Sequence, residues 1–451
     1  MTLHFNSIVI GGGTAGLAVG ALLAKRGYKP VILERDPRLG GRTSSFEYRG
    51  YLIDTGSHQF ASWSRSGMKA LFDEVGAEDL NLVPIRPSIM RYDVTTKKYT
   101  KASGRDSLGE KAYEDFKKIV ATIAGLSKEE IDASHGITAE TWLLKQVKNG
   151  ELLDFFRRIT GFAGQGLEVL PAGCLLETLN NSFNAEIGIG YPQKGGCIAF
   201  SNALEVAIKR HGGEVMKEII VDKIKFKGNK AQGIIGRRIE SGGQMIMEID
   251  IDAPIVVCTM PISRLFSLIP REKVSKTFAE KVDGFESKPY AGILAGVDAS
   301  LLEGFGDGEQ FFQFTAGRKG ESWHALVTIP TYVDKDLAPK GRHYIICNSH
   351  GMLPKSQEHM IPELHKKLRE LLSQMWPNFN DAIDWISEIV YYGAAFAPRM
   401  GTTGKDSAAG CVDSLKGMYL AGDGACPGAS GGVGSAVKSA WVCMADIEKK
   451  A

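Results

Sequence analysis

The chain is short of several things, and each shortage closes off a class of protein. Its seven cysteines are odd in number, scattered and never spaced as C-x-x-C, which leaves no case for a disulfide framework or a zinc site and fits a reducing compartment. No apolar run approaches the roughly 20 residues that a spanning helix requires. Met1 leads straight into an apolar strand, without a basic segment, apolar stretch and cleavage site, so no secretory leader is expected. Net charge is +2 with both signs interleaved, and no aromatic–basic motif stands out, so nothing speaks for nucleic acid as a partner. The expectation is a cytoplasmic protein, with peripheral membrane contact left open.

Glycine is what the chain has in quantity: 53 residues, many in short clusters. Clustered glycine marks tight turns or close approach of the backbone to a ligand. At 451 residues one hydrophobic core rarely suffices, and two domains are expected. The first cluster follows the apolar run Ser7-Ile8-Val9-Ile10. It reads Gly11-Gly12-Gly13-Thr14-Ala15-Gly16, and an Ala- and Leu-rich helix from Leu17 to Lys25 comes after it. Strand, glycine turn and helix are the context that a G-x-G-x-x-G fingerprint needs. Gly11 permits the sharp turn, Gly13 lets a diphosphate approach the backbone, and Gly16 lets helix pack closely on strand. The unpartnered amides of a helix N-terminus favour the diphosphate there. A second strand, Val31-Ile32-Leu33, ends in Glu34, an acid placed to accept hydrogen bonds from an adenosine ribose. A plain packing turn without a ligand is the alternative.

Leu39-Gly40-Gly41-Arg42-Thr43 adds a glycine pair and a cation able to neutralise a phosphate. Far along the chain, Gly417 to Asp423 reads as a strand ending in an acidic turn, and Gly431-Gly432-Val433-Gly434 opens a helix towards Met444. In the middle, Tyr191-Pro192-Gln193-Lys194-Gly195-Gly196 precedes a helix from about Asn202 to Arg210, then Val221, a hairpin region and the strand Ile255–Cys258. In this order and spacing, the four blocks resemble the FAD-dependent amine oxidase and phytoene desaturase superfamily.

The resemblance implies an α/β fold with a Rossmann-like FAD-binding domain of glutathione-reductase type. That domain is assembled from residues 1–60, 190–262 and 396–451. An inserted α+β substrate domain, a sheet roofed by helices, takes residues 61–189 and 263–395. FAD contacts are implied at Gly11, Gly13, Thr14, Ala15, Gly16, Glu34 and Arg35, and at Gly41, Arg42 and Thr43. Others fall at the backbone of Val221 beside the adenine, at Gly422 and Asp423, and at the amides of Gly432 and Val433 facing the flavin's pyrimidine edge. A helix followed by an inserted β-hairpin explains the Val221 region equally well without a ligand.

Residues 66–188 read as mostly helical, with a small hairpin at Ile89–Tyr92 and Lys97–Tyr99; 263–395 mixes β-runs with a helix near Glu363–Met375. Leu153, Phe155, Phe156, Phe162, Phe311, Phe312 and Phe314 have two readings, the core of the second domain or the wall of a lipophilic tunnel, and the core is favoured for most. Ser300 to Phe305 reads as a loop with buried anchors, a dip into a bilayer surface being the alternative.

A flavin carries its own redox step, so few catalytic side chains are needed. No H-E-x-x-H, nucleophile elbow or kinase-type loop occurs. His58, in Asp54-Thr55-Gly56-Ser57-His58, is the best catalytic candidate: it either relays a proton or is a structural histidine bonded to backbone. Arg399 reads as an anchor for an anionic substrate or as a surface ion pair. Neither Cys426 nor Cys411 has the spacing of a flavin-linked cysteine, so the flavin is expected to be noncovalent. Gly422 to Ala429 is most similar to the phytoene desaturase and carotenoid isomerase branch. It departs from that branch at Cys426, where a histidine is common, and in the short connection from Arg399 to Gly417.

The implied activity is desaturation, saturation or flavin-dependent isomerisation of a carbon–carbon bond in a hydrophobic, isoprenoid-like substrate, with hydride exchanged at flavin N5. The electron acceptor and oligomeric state are not read from the sequence. The alternatives are an amine oxidase, with Tyr391-Tyr392 as its aromatic pair, and a non-enzymatic prenyl-binding protein of the GDP-dissociation-inhibitor type, against which Glu34, Arg42 and Asp423 argue.

Overall fold

Ser7–Ile10 is buried at all four positions, as a strand covered on both faces requires. It lies inside a six-stranded sheet. The order is Glu214–Met216, Pro30–Leu33, Ser7–Ile10, Ile255–Cys258 and Met418–Leu420, all parallel, then Gly410–Cys411 antiparallel at the edge. Neighbours in this sheet come from three distant stretches of chain. The computed structural model describes residues 2–85, 89–101, 105, 108–159, 166–240, 243–284, 289–303, 313–317, 324–350, 355–391, 410–412, 414–425 and 432–450.

The first helix, Thr14–Lys25, begins three residues earlier than its apolar pattern suggests, because Gly13 itself serves as N-cap without a side-chain hydrogen bond. Every residue from Thr14 to Ala24 is buried. Small residues let it press on the sheet: a Cβ on Gly20 would stand 3.0 Å from Ile32. Beside it pack the helix Ile198–Arg210, which starts four residues before the expected Asn202, and the last helix, Gly432–Lys450. The hairpin expected near Val221 is larger than a hairpin. Ile219–Lys227, Lys230–Ile239 and Met245–Asp252 form an antiparallel meander, and the short strand Thr2–His4 adds to its edge in parallel.

A second sheet has seven strands in the order Ile383–Tyr391, Tyr290–Asp298, Arg342–His350, His324–Thr328, Gln313–Gly317, Ile89–Asp93 and Lys98–Lys101. The expected small hairpin forms its far edge. One face, with Ile293, Ala295, Ile345 and Cys347, is roofed by the helix Ile361–Met375 through Leu364, Leu368, Leu371 and Leu372. On the opposite face, Leu294, Tyr344, Ile346 and Trp385 join the core that contains the first helix.

Between residues 108 and 179 helices build a core of their own, and Leu153, Phe155 and Phe156 lie in it; Phe314 lies in the core under the roof helix. These four aromatic and aliphatic side chains are therefore packing residues. Ala299–Leu302 is a short 3-10 helix and not the expected loop, but the anchors are there: Leu302 is buried and Leu301 packs beside it. Phe162, Phe311, Phe312, Gly304 and Phe305 lie outside the described residues. Among the described residues no helix is long and apolar enough to cross a membrane.

Candidate cofactor site and the residues beside it

Parallel strands end in the same direction, so whatever follows their carboxyl ends collects in one crevice. Here Gly11 follows Ile10, Glu34 follows Leu33, Thr259 follows Cys258, and Ala421-Gly422-Asp423 follows Leu420. The glycine turn is held by close backbone contact. Gly11 has φ of +104°, and a Cβ on Gly16 would lie 1.9 Å from the Gly11 carbonyl oxygen. Gly13 differs: nothing stands within 4 Å of where its Cβ would be. The Gly40–Gly41 turn lies against it, with the Gly40 amide donating to the Gly12 carbonyl at 2.8 Å and the Thr14 hydroxyl donating to Thr43 at 3.0 Å.

Glu34 is 7% exposed and accepts the Gly12 amide at 2.6 Å and the Asp36 amide at 2.9 Å. Burial raises its pKa, and the two amide bonds oppose that shift. Arg42 reaches across 381 residues of sequence to form a two-pronged pair with Asp423, at 2.9 and 2.6 Å. The sequence reading gave each of these a separate contact with the cofactor; the structure joins them. Gly422 is tied to the last helix by its amide, which donates to the Ser439 hydroxyl at 2.7 Å.

Other expected residues stand further off. The Arg35 side chain is 63% exposed and faces Asp36 at 3.6 Å. Val221 lies two residues beyond Ile219, whose amide donates to the Glu34 carbonyl at 2.8 Å, so it lies on the Glu34 side of the crevice. Gly432 and the buried Val433 open the last helix. Cys411 is on the sheet edge with its thiol turned to the carbonyls of Val412 and Leu415. Tyr391 ends its strand opposite Tyr290, whereas Tyr392, Arg399 and Cys426 lie outside the described residues.

Several site residues were missed from sequence. Thr259 bonds the carbonyls of Ile10 and Gly11 at 2.9 and 3.2 Å and so braces the turn from a neighbouring strand; no motif marks it. Asp54, quoted only as part of the run containing His58, is fully enclosed. It accepts Ser45 Oγ at 2.7 Å, the Cys197 amide at 2.8 Å, Tyr191 Oη at 2.6 Å and Tyr344 Oη at 3.4 Å. The tyrosine of the Tyr191-Pro192 loop is thus a partner of Asp54. Beyond Asp54 the chain runs against the glycine doublet, with the Thr55 amide on the Ser44 carbonyl and the Ser57 amide on the Arg42 carbonyl. His58 comes next. It is half-buried, its Nδ1–H donates to the Gly56 carbonyl at 3.1 Å, and burial pushes its pKa down to about 4.

These residues fit a flavin dinucleotide. The first turn of the first helix has amides without intrahelical acceptors and no acidic side chain, Gly13 leaves open space before them, and the buried Ser44 hydroxyl has no partner among the described residues. A dinucleotide crevice completed by an Arg–Asp pair and a second helix N-terminus defines a flavin-dependent oxidoreductase. The profile of the flavin containing amine oxidoreductase family matches residues 14–446, and the chain belongs to that family; its cofactor is FAD.

The chain is 22% identical over 344 residues to the inactive all-trans-retinol 13,14-reductase of Danio rerio, matching 66% of this chain and 55% of that one. It is 23% identical to prolycopene isomerase 1 of an Oncidium hybrid cultivar, over 75% of this chain and 63% of the other. The chain thus spans less than two thirds of either relative. An oxidoreductase structure from Methanosarcina mazei superposes with a TM-score of 0.74 at 20% identity, covering 99% of this chain and all of that one, which establishes the fold.

Replacing Arg42 with methionine is expected to leave the Asp423 carboxylate without its cation and to weaken flavin retention by about tenfold. The effect is moderate because Arg42 is 41% exposed and solvent screens the pair. The ratio of flavin to protein absorbance after dialysis measures it; an unchanged ratio would show that the pair does not hold the cofactor.

Proposed function

We propose that the chain is a noncovalent FAD-dependent oxidoreductase acting on a carbon–carbon bond of a hydrophobic, isoprenoid-like substrate, by desaturation, saturation or flavin-dependent isomerisation. The observation that carries the oxidoreductase reading is the dinucleotide crevice with its open space at Gly13, Glu34 and the Arg42–Asp423 pair. The names of two relatives support the carbon–carbon bond: one refers to retinol reduction, though as an inactive form, and the other to prolycopene isomerisation. The division into an FAD-binding part, 1–60, 190–262 and 396–451, and a substrate-binding part, 61–189 and 263–395, belongs to this reading. So do a cytoplasmic location with peripheral membrane contact and an electron acceptor outside the chain.

Bound FAD supplies the redox step by exchanging a hydride with the substrate. The amides opening the first helix, Glu34 and the Arg42–Asp423 pair hold and orient it. His58 donates from Nδ1 to backbone, which fixes its tautomer and leaves Nε2 as an acceptor. His58→Ala is expected to keep its flavin yet slow flavin reduction by substrate at least about tenfold, the low end for a positioned acid or base; unchanged kinetics would remove the role.

Stability follows the same group. The folded pKa of about 4 lies below the ordinary 6.5, so its contribution is full above pH 6.5 and is lost as pH falls towards 4. The alanine variant should lose less stability across that window, as urea midpoints at neutral pH and near its lower end would show.

The reading itself is tested by incubating flavin-loaded protein anaerobically with a linear polyene, with the flavin oxidised and again after chemical reduction. The products are then examined for a gained, lost or shifted double bond. Benzylamine is run in parallel. Flavin reduction by the amine beside an inert polyene would replace this reading with an amine oxidase.

A further inference from the structure

Among the described residues, the sheet face turned towards the nucleotide-binding part joins the shared core through Leu294, Tyr344, Ile346 and Trp385, and Ile389 packs against it. The Tyr344 hydroxyl reaches Asp54. Further along the strands, the register aligns Ile389, Gly292, Asn348, Leu326, Thr315 and Arg91 in one row. Positions directly opposite one another share a face, so this row continues the face that carries Tyr344 and Ile346.

Asn348, Leu326 and Arg91 enter none of the hydrophobic cores. Asn348 is 4% exposed, and its Oδ1 has no hydrogen-bond donor among the described residues. Gly292 opposite it has no side chain, and a Cβ there would stand 2.5 Å from that oxygen. A buried amide oxygen without a donor is costly until one arrives. At the other end of the row the Arg91 side chain is 18% exposed and stands 3.7 Å from Asp93. Thr100, opposite Arg91 on the edge strand, is exposed, so the row opens to solvent at the arginine. Three interstrand spacings put the two Cα atoms about 14 Å apart, with Leu326 between them.

We propose that this row is a substrate subsite for an elongated apolar chain that carries a carboxylate at Arg91 and a hydroxyl donated to Asn348. The proposal rests on the functional reading above and narrows its substrate from a hydrocarbon to an amphiphile. A guanidinium receives a carboxylate in its fork, and an amide oxygen accepts a hydroxyl proton. Leu326 between them gives neither charge nor donor, and Thr315 follows it beside the arginine, so the two polar groups are spaced by the width of these strands.

The test uses the flavin-loaded protein and calorimetric titration with ω-hydroxydodecanoate, dodecanoate and dodecanol. The hydroxy acid is expected to bind tightest. Arg91→Gln should weaken both acids about tenfold and leave dodecanol unchanged. Asn348→Leu should reduce the hydroxy acid to the affinity of dodecanoate, and Asn348→Ser, a smaller change, serves should the leucine variant not fold. Equal affinities for acids and alcohol in the unaltered protein, or equal weakening of all three probes by Arg91→Gln, would overturn the subsite. Polyene turnover is read in the same preparations. Absent selectivity with intact turnover removes the subsite alone, and an inert polyene with intact selectivity removes the functional reading and leaves the subsite.

Discussion

Valine in place of Gly16 is expected to give a protein that purifies without flavin and melts at a lower temperature. The position has an ordinary backbone conformation, so the argument is one of space. A Cβ would lie 1.9 Å from the Gly11 carbonyl oxygen and 2.9 Å from Thr259 Oγ1, and the first of these is backbone that cannot swing aside. The helix can only back away, yet it is buried along its whole length from Thr14 to Ala24. Withdrawal also pulls Thr14 from Thr43 and disturbs the Gly12–Gly40 contact. Overpacking of this sort costs about 1–3 kcal/mol, and the upper end is about a hundredfold in affinity.

Gly13→Ala is the informative companion. Its methyl meets no protein atom within 4 Å, so the free protein should keep its stability while flavin binding is lost, the methyl intruding where a phosphate would approach. Visible absorbance and a thermal melt of the two variants separate the roles. If Gly13→Ala retains its flavin, the turn does not address the diphosphate.

Asp54→Ala is expected to be the most destabilising single change at the junction of the two sheets. Its carboxylate collects Ser45 from the facing strand Ser45–Tyr48, the Cys197 amide that opens the helix Ile198–Arg210, the tyrosine of the Tyr191 loop, and Tyr344 from the seven-stranded sheet. Alanine removes the acceptor that these four donors share, a loss of about 3–5 kcal/mol for a broken buried network. Asp54→Asn should cost much less. Burial raises the pKa of Asp54, so the fold tolerates the charged form poorly and the group's contribution to stability falls as pH rises through that raised value. A neutral amide keeps an acceptor and avoids that cost. Urea denaturation of both variants at neutral pH checks the order, and an alanine variant as stable as the parent would show that the four bonds are incidental.

The residues that could be read from sequence are those whose roles are local. Gly11, Gly13 and Gly16 are five positions apart end to end; Gly11 and Gly16 answer to contacts within the same turn or the adjoining strand, and Gly13 to the open space before the helix. Glu34 is legible because the residue that follows a strand has a fixed relation to the turn beside it. The apolar pattern marks the first helix only from Leu17, because its cap is a glycine with no side-chain signal. Asp54 and its tyrosines were not legible as a unit, since 137 and 290 residues separate the aspartate from its partners. Thr259 bears no motif and matters only because strand pairing sets it beside Gly11. Arg42 and Asp423 were each singled out, but their pairing is a fact of tertiary geometry.

That pairing has a consequence for how the protein is made. During synthesis, the glycine turn, Glu34 and Arg42 leave the ribosome long before Asp423, and the strand Met418–Leu420 cannot take its place beside Ile255–Cys258 until nearly the whole chain has been translated. Until then Arg42 lacks its counter-charge and the central sheet lacks a strand next to its middle. Cofactor loading is therefore expected to wait for the strand Met418–Leu420 and the Asp423 turn, and a nascent chain halted before them should emerge without flavin however well its first fifty or so residues have folded.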